Sequence, residues 1–177
     1  MRARAVASFV ALQLGWFACV LGAARGRSWL GPAVVLATLV LHVRLQPARD
    51  RGRETLVLAL ASVVGFLVDT LLLRTGVIVL ADAAVSPSWL VALWPNFAAA
   101  TAAGGSLATL ARRPLLGALL GAVAAPLAYD AGARLGAIGL DPDRLRSLII
   151  IGVAWAGVLP AFFALRQRIG APAPRPA

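Results

Sequence analysis

Asp69, Asn96, Tyr129 and Asp130 are the residues of this chain best suited to binding or proton chemistry, because each interrupts a run that is otherwise apolar. A carboxylate in hydrocarbon is expensive unless it is paired or faces a water-filled cavity, so intramembrane acids mark functional sites by default. Arg74 follows Asp69 by five positions, and Arg134 follows Asp130 by four, the acid-first spacing that pairs along a helix. Two chemistries fit these residues. In one, they line an outward-opening polar pocket that contacts a ligand or relays protons, with Arg74 and Arg134 balancing charge or meeting an anionic group. In the other, Asp69 and Asp130 pair with Arg74 and Arg134 as a structural lock between helices.

The elements that must hold these residues are membrane helices. Apolar residues make up 60% of the 177-residue chain, and they come in blocks of spanning length. The mean hydropathy is +0.86. The stretch from Pro114 to Gly139, PLLGALLGAVAAPLAYDAGARLGAIG, is the most informative. Gly117, Gly121 and Ala125 form one small-residue stripe, and Ala124, Ala128, Gly132 and Gly136 form another. Residues four apart share a helix face, so both stripes permit close approach of neighbouring backbones.

Five further spans are expected: Ala5 to Ala24, retained rather than cleaved; Trp29 to Leu45; Thr55 to Leu73; Pro87 to the Arg112-Arg113 pair; and Ser147 to Leu165. Residues 1–168 then form a single all-α, six-helix transmembrane domain, and residues 169–177 a disordered tail rich in Pro and Ala. Trp89 and Trp94 suit an aromatic belt at the interface. Pro95, beside Asn96, frees a backbone carbonyl within the fourth span. Gln13 suits hydrogen bonding between helices, and His42 suits snorkelling at the inner interface.

The net charge of +10 comes from 17 arginines and no lysine. With both termini cytoplasmic, eleven of those 17 arginines fall in inner segments, among them the Gln46–Glu54 loop, which agrees with the positive-inside rule. These arginines punctuate apolar segments instead of forming a soluble basic face, which argues against nucleic acid as a partner. One cysteine and one histidine leave no basis for an internal disulfide or a metal site. No nucleophile elbow, His-Glu-x-x-His or phosphate-binding loop is present, which disfavours an enzyme and argues against ATP-driven transport by this chain alone. No cofactor is implied.

Four segments together resemble the small bacterial inner-membrane proteins grouped as domain of unknown function 2878: QLGWFACVLGAA from Gln13, GFLVD from Gly65, PSWLVALWPNF from Pro87, and LGALLGAVAAPLAYDAGARLG from Leu116. The resemblance implies a small polytopic membrane protein and supplies no mechanism. In size, helix number and an outward-facing site, the chain is also similar to the substrate-binding subunits of energy-coupling-factor transporters.

The expected function is small-molecule binding or a transport-related role in the bacterial inner membrane. Its partners would be the bilayer, a small-molecule or lipid ligand, and a membrane partner subunit. The alternatives are a lipid-modifying or lipid-handling enzyme that uses Asp69 or Asp130 as acid or base, and a non-catalytic scaffold built on the stripes of the fifth helix.

Overall fold

The computed structural model describes residues 2–81 and 83–170. Among them the fold is all-α, with six helices: α1 (Arg2–Ala24), α2 (Leu30–Arg44), α3 (Ala48–Arg74), α4 (Ser88–Ala100), α5 (Pro114–Arg134) and α6 (Arg144–Gly170). α1, α3, α5 and α6 are long and apolar enough to cross a membrane, which identifies a membrane protein by helix length and composition. α2 and α4 span only roughly 22 and 20 Å.

Successive helices alternate in direction. The α3–α4 and α5–α6 connections meet at one end of the bundle, where β1 (Ile78–Val79) pairs antiparallel with β2 (Gly139–Leu140). At the opposite end lie the start of α1 and the close of α6. There the Ser106 amide donates to Ser8 Oγ at 3.3 Å, and Arg166 reaches across to α3 and α4.

α4 stops at Ala100, well short of the Arg112-Arg113 pair expected to close it, and gives way to turns before a short 3-10 segment at Leu110–Arg112. The local sequence TAAGGS explains this. Thr101 Oγ1 turns back onto the Ala98 carbonyl at 2.7 Å, and Gly104 takes a positive φ of 80° that most side chains disfavour. α6 runs past the expected boundary at Leu165 to Gly170, and the remainder of the expected tail, residues 171–177, lies outside the described residues.

α5 shows how the bundle is sorted by face. Leu115, Leu119, Val123 and Leu127 form an exposed row at 60% accessibility or more, as suits a lipid-facing surface. Gly117, Gly121, Ala125 and Tyr129 form the buried row. This row packs on α6: a Cβ at Gly117 would meet the Phe163 ring at 2.8 Å, and one at Gly121 would meet the Trp155 carbonyl oxygen at 2.4 Å. The first small-residue stripe is thus the seam of the α5–α6 pair.

α1 packs on α2 and α4, and α3 packs on α4. Gly31 admits α2 against Cys19 of α1, and Gly65 of α3 sits under the Trp94 ring of α4. The bundle is therefore an α1–α4 group and an α5–α6 pair, which meet where α6 touches α3 and α4.

Gly121→Ala should lower stability in detergent by about 1–3 kcal/mol, because the added methyl overlaps backbone. Gly157→Ala, on an open face of α6 with nothing within 4 Å, should leave the thermal midpoint unchanged or raise it. Thermal unfolding of the two purified variants beside wild type checks both outcomes.

Candidate functional site

Asp69 sits five residues before the end of α3, which is about 7.5 Å by helical rise. Trp94, six residues into α4, and Tyr129, five residues before the end of α5, lie at matching depth. The three side chains meet. Asp69 is fully enclosed, its Oδ2 accepting from Trp94 Nε1 at 2.8 Å and its Oδ1 from the Tyr129 hydroxyl. Both carboxylate oxygens are therefore satisfied by neutral donors, and no arginine or histidine pairs with Asp69 among the described residues.

Trp94 is held on both sides. Gly65 lies against one side of its ring, and Trp155 of α6 stacks on it at a centroid distance of 4.5 Å and 23°. Phe97 meets Trp155 edge-on at 6.3 Å. Trp155 Nε1 is buried with no hydrogen-bond partner among the described residues.

In front of these rings is a cavity of about 450 Å³, walled by α1, α4, α5 and α6. That volume is within the usual range for small-molecule sites. Four of the chain's five tryptophans line it: Trp16, Trp89, Trp94 and Trp155. Ala124, Ala128 and Gly132 of the second α5 stripe form part of its wall, together with Gly121 and Ala125 of the first. The polar side chains at the wall are Gln13, Asn96 and Tyr129. Asn96 is oriented by α1: its Nδ2 donates to the Leu12 carbonyl at 2.9 Å, at a contact that Gly15 keeps free of a side chain.

The six residues singled out from sequence do not converge on one pocket. Tyr129 and Asn96 line the cavity, and Asp69 stands directly behind Tyr129 and Trp94. Asp130 points elsewhere, to a cluster at the α5–α6 connection where it accepts from Arg134 Nε at 2.8 Å and Arg144 Nε at 2.6 Å. Both arginines are largely exposed there. Arg74 is exposed and makes no ion pair among the described residues, so the Asp69–Arg74 lock is not formed, whereas the Asp130–Arg134 pair is. Trp89 and Trp94, expected at the interface, are buried at 4% and 5% exposure because they turn inward as cavity wall.

A second polar cluster escaped the sequence reading. At the far end of the bundle, Glu54 accepts from Arg166 Nη2 at 2.6 Å and contacts His42 Nε2 at 2.8 Å, while Arg166 Nη1 donates to the Ala98 carbonyl at 3.2 Å. This ties α2, α3, α4 and α6 together. The available signal was composition: Glu54 is the chain's one glutamate and His42 its one histidine.

Tyr129→Phe should leave Asp69 Oδ1 bare and lower stability by about 1–3 kcal/mol. Asp130→Asn, whose partners face outward, should move the thermal midpoint little. The two variants, unfolded side by side in the same detergent, test which aspartate the core depends on.

Residues 5–161 match a family described as Protein of unknown function (DUF2878). Neither a curated protein nor a solved structure matches the chain.

Proposed function

The chain belongs to that family, DUF2878, and from this premise, which supplies a class of protein and no ligand, we propose a multi-pass protein of the bacterial inner membrane that binds a small molecule in the cavity between α1, α4, α5 and α6. Both termini lie on the cytoplasmic side in this reading, as the arginine distribution favours. On that orientation Trp89, Tyr129, Gly132 and Ile138 line the outer part of the cavity. Binding, with delivery or transport as its purpose, accounts for the site better than catalysis does. Among the described residues no nucleophile, metal cluster or free acid–base pair faces the cavity, and the carboxylate behind its wall has both oxygens already engaged.

One observation carries the reading: an apolar space of about 450 Å³, lined in part by aromatic rings, with three neutral polar groups at its wall. That combination of apolar walls and a few placed polar groups is how proteins hold and orient small ligands. The polar pocket expected from sequence becomes, in this proposal, an aromatic cavity whose polar edge is Gln13, Asn96 and Tyr129. Asp130, Arg134 and Arg74 are left to the surface.

Ala128→Trp places a large ring in that space from a half-buried position at its wall. Purified Ala128→Trp protein should unfold near the wild-type temperature but lose the stabilisation that a bound metabolite gives wild type in a thermal-shift panel. A ligand that still stabilises Ala128→Trp as it does wild type places the binding site elsewhere.

A further inference from the structure

Resting on the proposed binding role of the cavity, the geometry points to the class of ligand: we propose that the cavity takes a compact, weakly hydrated organic cation, such as a quaternary or tertiary ammonium group attached to an apolar body.

The first observation is one of charge. Glu54 is neutralised by Arg166, and Asp130 by Arg134 and Arg144. Asp69, fully enclosed, accepts only from Trp94 and Tyr129, whose donors carry no charge. This carboxylate has no cationic partner among the described residues, and when ionised it sets an uncompensated negative charge one side chain behind the cavity wall. Across so short a path, in surroundings of low polarisability, that charge is weakly screened and favours a positive group on the other side.

The second observation is the wall itself. Aromatic faces attract cations through the ring quadrupole, most strongly when water is excluded. Four tryptophans, Tyr129 and Phe97 surround this cavity. A phenol or indole that donates its proton to a carboxylate is polarised toward its ring, which strengthens that attraction at Tyr129 and Trp94.

The third is what the wall lacks. Among the described residues no arginine lines the cavity, so an anion finds no charged partner there. A metal ion or primary ammonium would need several oxygen ligands to replace its water. The wall offers two amide side chains, one of them already donating to Leu12, and no cluster of His, Cys, Asp or Glu exists among the described residues. A quaternary ammonium needs no hydrogen bond and meets none of these objections.

The test compares benzyltrimethylammonium with its neutral carbon isostere neopentylbenzene on the purified full chain, by tryptophan fluorescence and calorimetry. The ammonium compound should bind wild type at least about tenfold tighter than the isostere. Asp69→Asn should abolish most of that preference, read as the ratio of the two affinities measured on the same variant. The wild-type comparison stands on its own if Asp69→Asn fails to fold. Equal or tighter binding of the neutral compound to wild type overturns the cationic class and leaves the cavity as a site for neutral molecules. A preference that persists undiminished in Asp69→Asn overturns the role given to that carboxylate. If neither compound binds, and Ala128→Trp also leaves every ligand response intact, the cavity reading itself falls.

Discussion

Asp69 has no access to water, and a carboxylate in that position must draw its hydrogen bonds from the protein or forfeit its solvation. The middle of the bundle is arranged to supply them. One donor comes from α4 and one from α5, so a single side chain on α3 fixes the rotation of both neighbours. Trp94 can reach Asp69 only because Gly65 leaves room beside it, and its position in turn sets where Trp155 stacks. The cavity wall is therefore a consequence of satisfying one buried charge. Removing that charge would release several rings at once.

Side-chain polar ties stand at both ends of the bundle. At the end where the α3–α4 and α5–α6 connections meet, Asp130 joins α5 to α6, while Asp141 and Asp143 organise the turn that starts α6. At nearly the same height Asp69 joins α3 to α5 through Tyr129. At the opposite end Glu54 and Arg166 join α3 to α6. The Asp69 and Glu54 ties cross between the two helix groups, and both begin on α3. The cavity lies on the opposite side, where α1 faces α5 and no such tie is formed.

Much of this was legible from the chain, for physical reasons. The helices follow from apolar blocks whose lengths match a bilayer, and the Gly117–Gly121–Ala125 seam follows from four-residue spacing, which extends directly to Tyr129. The grouping of Tyr129 with Asp130 did not survive, and helix geometry says why. Consecutive residues point about 100° apart, so one facing inward sends the other to a different surface. Asp69 and Arg74, five apart, are likewise on different faces. The partnership of Asp69 with Trp94, and of Glu54 with Arg166 and His42, depends on which helices become neighbours. No local periodicity encodes that.

α5 gathers these constraints in one element. Its leucine row at 115, 119, 123 and 127 faces outward, its glycine row closes on α6, and its Ala124, Ala128 and Gly132 row faces the cavity. Two of these rows consist of small residues, but they have opposite effects. At Gly117 and Gly121 the space that a side chain would fill is occupied by α6, and the helices touch. At Ala124 and Ala128 no helix advances into that space, because α1 is held at a distance by its own contacts with α2 and α4 and by Asn96 bound to the Leu12 carbonyl. Small residues beside a fixed gap leave dispersion contacts unmade on every wall that faces it. One small-residue row thus makes a helix contact, and the other borders the cavity.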